Sequence, residues 1–384
     1  MKQDTISAAL RRALAAAAAL VLLLAGPAAQ AIESTARQAY LIDFQTGTVL
    51  YDKAGEEQMH PSSMSKLMTI YLVFERLKSG KVKLADTLTV SEKAWRMQGS
   101  KMFTPLGSQI SIEDLLRGII IQSGNDACVV MAEGLAGSEE AFVDLMNKKA
   151  KEIGLTGSHF VNSTGWPDPQ HYMTARDLAV LAHHLIEDFP EYYHYFSEES
   201  FVFHGIKQGN RNPLLYKDFG ADGLKTGHTE DAGFGLTASV KRDNRRIIMV
   251  LNGLGSMQAR ADEGRRMMDW AFRETENVQV AKAGQRLEDA PVWMGQSPTV
   301  PLALPGDYVV TLPRGARDTL QAKAVFDGPI AAPVTAGQKL GKLLITGPDM
   351  PPIELPLVAG ADVPRLGPFG RAYVAFRHLV LGSS

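Results

Sequence analysis

Apolar and polar positions change texture several times along the chain, and each change marks a different kind of element. Leu14 to Ala25 is an unbroken apolar run, preceded by Lys2, Arg11 and Arg12 and followed by Ala29-Gln30-Ala31. The run falls short of the ~20 residues that span a bilayer, so the pattern predicts a secretory signal peptide over residues 1–31, cut after Ala31. Two strand-like runs, Gln38–Asp43 and Thr48–Asp52, flank Gln45-Thr46-Gly47 and predict a β-hairpin. From Ser65 to Leu77 the apolar positions Leu67, Met68, Tyr71, Leu72 and Phe74 follow a helical period. Further helices are predicted at Ile112–Ile121, Asn125–Leu135, Glu139–Ile153 and Thr174–Leu185. After Gly223 strands return at Gly235–Val240 and Arg246–Asn252, followed by a helix over Gln258–Phe272. Strands at both ends with helices between predict an α+β domain, residues 32–277, whose sheet joins distant parts of the chain.

Around Thr275–Asn277 the texture shifts again. Residues 278–362 hold short strand-like runs at Val300–Leu304, Tyr308–Leu312, Leu340–Thr346 and Glu354–Val358, repeatedly broken by Pro and Gly. This reads as a small all-β domain of sandwich type. The tail, residues 363–384, has a third character. Phe369, Tyr373, Phe376 and Val380 step by four, three and four onto one helix face. Arg371 and His378 share another side, and Arg377 flanks the apolar stripe. Aromatic residues beside arginines suit a helix lying in a membrane interface, and Pro364 with Gly367-Pro368 is expected to detach it from the β domain.

Composition narrows the function. Forty basic residues stand against forty-two acidic ones, a net charge of −2. Without a basic excess there is no electrostatic case for nucleic acid as a partner. The single cysteine, Cys128, can form no intramolecular disulfide and no multi-cysteine metal site. It reads as a small core residue. An exported chain without disulfides fits a bacterial envelope protein. No His is followed by Glu, which excludes His-Glu-x-x-His; neither a Gly-x-Ser-x-Gly elbow nor a P-loop occurs. No metal or cofactor is implied.

Three short patterns remain. In Ser63-Met64-Ser65-Lys66, residues three apart on a helix share a face, so the Lys66 amine reaches the Ser63 hydroxyl. A serine attacks only when a base takes its proton, and lysine is a base only when its pKa is depressed by burial or nearby positive charge. Taken alone the pattern is weak, and helix capping by Ser63 is the plainer explanation. Ser123-Gly124-Asn125 precedes a helix, where capping is again common. Lys225-Thr226-Gly227 opens the strand-rich region and could be a surface turn. All three in order, two at helix starts and one at a strand, leave little room for coincidence.

Pro61-Ser62-Ser63-Met64-Ser65-Lys66, Ser123-Gly124-Asn125-Asp126-Ala127-Cys128 and Asp222-Gly223-Leu224-Lys225-Thr226-Gly227-His228-Thr229 together resemble the low-molecular-mass penicillin-binding proteins. More narrowly, they resemble the D-alanyl-D-alanine carboxypeptidases. The resemblance extends to Gly99–Phe103, Gln208–Asn212, the β domain and the tail. It implies an antiparallel sheet with helices, as in serine β-lactamases, followed by the β-sandwich and an amphipathic C-terminal helix. It also implies that Ser63 attacks the carbonyl between the terminal D-alanines of a peptidoglycan stem peptide while Lys66 takes its proton. Ser123 would relay a proton to the departing D-alanine, held by Lys66 and Asn125. The N–H groups of Ser63 and His228, the latter just after Gly227, would form the oxyanion hole. Lys225 and Thr226 would bind the terminal carboxylate, with the Lys225 charge helping to keep Lys66 neutral. Arg211 is a further candidate for that carboxylate, although Asn212-Pro213 after it departs from the family pattern. The implied partners are stem peptides ending in D-Ala-D-Ala, β-lactams, and the outer face of the inner membrane, reached through the tail. Two rivals are a serine β-lactamase, which would want a deacylating Glu-x-x-x-Asn that Glu187, Glu191, Glu198 and Glu199 do not form, and an inactive penicillin-binding scaffold.

Overall fold

The computed structural model describes residues 32–216, 218–347 and 351–381; the predicted signal peptide lies outside them. The N-terminal hairpin forms as Gln38–Asp43 and Val49–Lys53. It is the end of a five-stranded antiparallel sheet ordered Val49–Lys53, Gln38–Asp43, Arg245–Leu254, Gly233–Arg242, Ala221–Thr229. Tyr40 faces Val250 and Leu41 faces Met249 across the register. Every residue of Gln38–Asp43 is buried, which explains its run of apolar side chains without alternation: helices cover both faces of the sheet. Ala175–Asp188 packs on one face. On the other, Gly264 of the helix Met257–Glu274 lies against Leu236 and Met249.

Lys66–Lys78 runs through the core, with Leu67, Met68, Ile70, Tyr71, Leu72, Val73 and Phe74 all buried. A helix wrapped by protein needs no polar face. Ile112–Ile120, Asn125–Ala136 and Glu139–Glu152 surround it. Capping in this chain falls to particular side chains. Ser91, Ser111, Ser138, Thr174 and Ser256 each accept a backbone N–H at the start of their helices.

The helix Met257–Glu274 passes directly into a strand, Thr275–Ala281, with no linker at the composition shift. That strand pairs with Tyr308–Pro313. Beside this ribbon a six-stranded sheet is ordered Gln321–Phe326, Lys339–Thr346, Ile353–Ala359, Thr299–Ala303, Arg286–Trp293, Ile330–Ala331. The two parts share Val280, Leu320 and Ile353 at their contact, the layered all-β arrangement that the sequence implies. Asp43 joins the five-stranded sheet to the β-rich part, accepting from Arg245 Nε at 2.8 Å and Asn277 Nδ2 at 3.1 Å. Thr46 Oγ1 lies 2.5 Å from Thr311 Oγ1.

The tail forms a helix, Pro368–Leu381. Phe369, Tyr373, Phe376, Leu379 and Val380 are exposed, Phe369 by 92%. Contrary to the expectation that Pro364 and Gly367-Pro368 free the segment, its other side is seated. Leu366 N–H donates to Met294 O at 2.9 Å, and the His378 ring meets Trp293 edge-on at 4.9 Å. Arg371 is half-buried and the exposed His378 rests its ring on Trp293, which leaves the aromatic face outward. Among the described residues no helix is long and apolar enough to cross a membrane.

Candidate active site

Ser63 lies in a short 3-10 turn, Ser62–Ser65, and the α-helix begins only at Lys66. The sequence spacing treats both as helical; the turn is instead pinned from outside. Gly165, at φ +76°, packs so closely that a Cβ there would meet Ser62 O at 2.0 Å and Ser65 Oγ at 2.4 Å. Gly227 presses from the sheet side, where a Cβ would approach Pro61 O to 2.8 Å. Only glycine allows either approach. Ser62 is held at φ +51°. Ser63 caps no helix, and it stays partly accessible while its neighbours are buried.

Lys66 is completely buried, yet its ammonium position is fully met. Nζ lies 3.0 Å from Ser63 Oγ, 2.7 Å from Asn125 Oδ1 and 2.5 Å from Thr164 O. Burial, opposed by Cys128 and Asp126 and aided by the Arg211 charge, brings its pKa down from the usual 10.5 to about 8. Lys225 is itself buried and driven well below its ordinary pKa, first by burial and next by Lys66. Two like charges in one small volume disfavour each other, so each amine bears on the protonation of the other. Cys128 is fully buried and its thiol is pushed up to about 12 by burial, an inert core group.

Ser123 stands at φ +59°, and Gly124 rather than a side chain precedes the helix Asn125–Ala136. Its Oγ is buried with no hydrogen-bond partner among the described residues, so, contrary to the expectation, neither Lys66 nor Asn125 holds it in this structure. A strained, unsatisfied hydroxyl is what a site awaiting a ligand group displays. Asn125 Nδ2 donates to Gln98 O at 2.8 Å, fixing Oδ1 toward Lys66. Asp126 anchors the wall carrying Gly99–Phe103 by accepting from Met102 N and Thr104 N at 2.9 and 3.0 Å.

Lys225 and Thr226 are buried on the edge strand Ala221–Thr229, not in a surface turn. Nζ of Lys225 donates to Thr226 O at 3.2 Å. Beyond Gly227, His228 is exposed and its ring lies 3.9 Å from that of Phe234. Arg211 is held by Ser100 Oγ at 2.7 Å and acts electrostatically on both lysines, so Asn212-Pro213 does not remove it from the site. The nine residues chosen from the sequence therefore converge on one corner of the catalytic domain.

Sequence reasoning missed others. Arg260 is buried, donates to Arg211 O at 3.4 Å, and leaves Nε without a partner among the described residues. Burial pushes it down to about 10. Thr164 supplies only a carbonyl, which no side-chain pattern reports. Its loop is fixed by Glu139, which accepts from Ser163 N at 3.0 Å and Ser163 Oγ at 2.7 Å, and by Thr69 Oγ1, which donates to Ser163 O at 2.7 Å. Away from the site, His184, Glu187 and Asp188 gather at one helix end, but Asp188 already accepts from Tyr71 at 2.8 Å.

With this geometry in hand, comparison with known proteins decides the family. Residues 25–255 match the family model described as D-alanyl-D-alanine carboxypeptidase. The chain belongs to the D-alanyl-D-alanine carboxypeptidase family. Residues 276–365 match the C-terminal domain of penicillin-binding protein 5, so this carboxypeptidase family member also carries the family's second domain. It is 38% identical to D-alanyl-D-alanine carboxypeptidase DacC of Escherichia coli strain K12, over 95% of this chain and 94% of that one. Penicillin-binding protein 5 from Haemophilus influenzae has a similar structure, with TM-score 0.79 and 35% identity over 87% of this chain and 99% of that one. Penicillin-binding protein D2 from Listeria monocytogenes, solved in an ampicillin-bound form, covers 63% of this chain and 98% of its own, with 27% identity and TM-score 0.58.

Proposed function

We propose that the protein is a serine-type D-Ala-D-Ala carboxypeptidase that trims the terminal D-alanine from peptidoglycan stem pentapeptides and is acylated by penicillins. The observation that carries this is the threefold setting of Lys66. Asn125 Oδ1 and Thr164 O can only accept, so they take two N–H bonds of the amine. When Lys66 is neutral, its lone pair is left for the Ser63 hydroxyl at 3.0 Å. That is the arrangement a general base requires. Ser63 Oγ then bonds to the carbonyl carbon, Lys66 receives its proton, and the carbonyl oxygen is held by the N–H groups of Ser63 and His228. Ser123 passes its hydroxyl proton to the nitrogen of the departing D-alanine as the C–N bond breaks, and takes in its place the proton held by Lys66, which is neutral again. Water hydrolyses the ester and restores Ser63. Lys225, Thr226, Arg211 and Arg260 receive the terminal carboxylate, which favours the charged form of Lys225 and at that moment strengthens the field on Lys66.

The same reading covers location. The enzyme is exported by its signal peptide and held on the outer face of the inner membrane by Pro368–Leu381, whose exposed aromatic face and Arg377 suit the bilayer interface. Two measurements test the chemistry together. A peptide ending in D-Ala-D-Ala should yield D-alanine in steady turnover, whereas a β-lactamase or an idle scaffold would not release it. Penicillin should leave one adduct, found by peptide mass mapping on the fragment containing Ser63 and absent from Ser63→Ala. An adduct on Ser62, Ser65 or Ser123 would overturn the assignment.

A further inference from the structure

A cavity of about 160 Å³ adjoins the Ser63 turn, bounded by His60, Ser62, Trp166, Asp168, His171 and Asp231, with Gly165 and Thr229 at the catalytic side. None of its polar lining residues is used by the mechanism above. Its position follows from the strand. The substrate carboxylate sits at the Lys225 and Thr226 end, so the acyl part of the peptide leaves in the other direction, past His228 toward Thr229 and Asp231. Ser62 Oγ and Thr229 Oγ1, 3.4 Å apart, join the cavity wall to the nucleophile turn. Trp166 connects it to Asn125, since both lie 3.0 Å from the Cβ position of Gly99.

The lining has a definite chemistry. His171 is only 2% exposed. Its Nδ1 accepts the Val161 N–H at 3.3 Å, which places the ring proton on Nε2, and burial pushes its pKa down to about 4. Nε2–H thus forms a buried donor without an acceptor among the described residues. Such a group calls for a ligand oxygen. Opposite in character are the carboxylates of Asp168 and Asp231, and His60, whose Nδ1 is engaged with His171 O at 3.3 Å. A donor beside two carboxylates suits a group carrying both an ammonium and a carboxylate. A water needs ~10–15 Å³ of such volume, so the space is ample for a terminus in which one carbon carries an ammonium and a carboxylate.

We propose that this cavity is a subsite for the side-chain end of the diamino acid preceding D-Ala-D-Ala, with Asp168 and Asp231 taking its ammonium and His171 Nε2–H its carboxylate. The inference rests on the carboxypeptidase reading and adds substrate preference to it. A meso-diaminopimelate side chain presents both groups, an L-lysine side chain only the ammonium, and an ε-N-acetyl-lysine side chain neither.

The test measures D-alanine release from three peptides ending in D-Ala-D-Ala that differ only in this residue. The full-length enzyme should show KM lowest for diaminopimelate, roughly tenfold higher for lysine, and higher again for acetyl-lysine, since a charge-assisted contact is worth about that factor. Asp231→Asn should raise KM for the two amines and leave acetyl-lysine unchanged. His171→Phe should erase the preference for diaminopimelate over lysine while sparing lysine, with penicillin acylation as the measure of a folded site. Because Asp168 also accepts from Gln170 N at 2.8 Å, Asp231 is the cleaner probe. Equal turnover of the three peptides, or an equal loss on all three in the variants, overturns the subsite and leaves the carboxypeptidase reading standing. No release from any peptide overturns that reading and the subsite with it.

Discussion

The Lys66 base makes a quantitative claim about pH. An amine of pKa about 8 is about one-tenth neutral at pH 7, whereas one at the ordinary 10.5 is neutral in about three molecules per ten thousand. Burial therefore supplies about a 300-fold larger population of competent base. The second-order rate of penicillin acylation, followed by stopped-flow or by trapping the adduct, should rise with pH along a limb centred near 8. Arg211→Gln removes a positive charge that lowers Lys66, so its limb should move to higher pH and its rate at pH 7 should fall. Lys66→Arg, which stays protonated, should lose roughly 100- to 10,000-fold in acylation, the span of general-base contributions. Circular dichroism and thermal melting would establish that the variant is folded. A limb above pH 10 in the native enzyme, or near-normal acylation by folded Lys66→Arg, would refute the base assignment.

Three further outcomes follow from the same geometry. Lys225 folds with a pKa below its unfolded value, so its burial penalty is full at low pH and fades as pH rises toward 10.5; Lys225→Met should therefore raise Tm at pH 7, by roughly 1–3 kcal/mol of stability, while abolishing D-alanine release, and a lowered Tm would contradict this. Gly165→Ala places a Cβ against Ser62 O at a φ of +76°; a strongly reduced Tm and slowed acylation are expected, and unchanged acylation would show that the loop does not shape the Ser63 turn. Truncation after Asp362 should move the enzyme from the membrane to the soluble fraction without loss of activity on a soluble peptide, and an already soluble full-length protein would end the anchor proposal.

What could be read from the sequence was whatever a local period or side-chain chemistry records. The run Leu67 to Phe74 announces a buried helix because every turn of it is apolar. The hairpin and the strands 233–242 and 245–254 are likewise written in their own residues. The Ser63 and Lys66 pairing is legible because helical geometry converts a spacing of three into contact. Pieces that depend on distant partners were not legible. Gln321–Phe326 is almost wholly exposed and has little apolar signal, yet it pairs along its length with Lys339–Thr346. Thr164 contributes a backbone oxygen, and any residue type could have stood there. Arg260 sits on a helix whose sequence gives no reason to point an unsatisfied guanidinium at a site built elsewhere.

The hidden pieces are also the ones that make the legible motifs reactive. Ser63, Lys66 and Asn125 would form an ordinary solvated cluster in water, where an ammonium loses nothing by remaining charged. The Ser163–Gly165 loop excludes that water from one side, and the Asp126-anchored wall excludes it from the other. Closing both sides costs stability, because two lysines and Arg260 lose hydration in one small volume. The cost is offset unevenly. Lys66 receives three partners and keeps a pKa near 8, whereas Lys225 receives one weak backbone acceptor and is held well below its ordinary pKa. The better-solvated lysine is poised to exchange a proton near neutral pH. The poorly solvated one gains most from an incoming carboxylate. Unequal solvation of two identical side chains is thus sufficient to separate a base from a binding group.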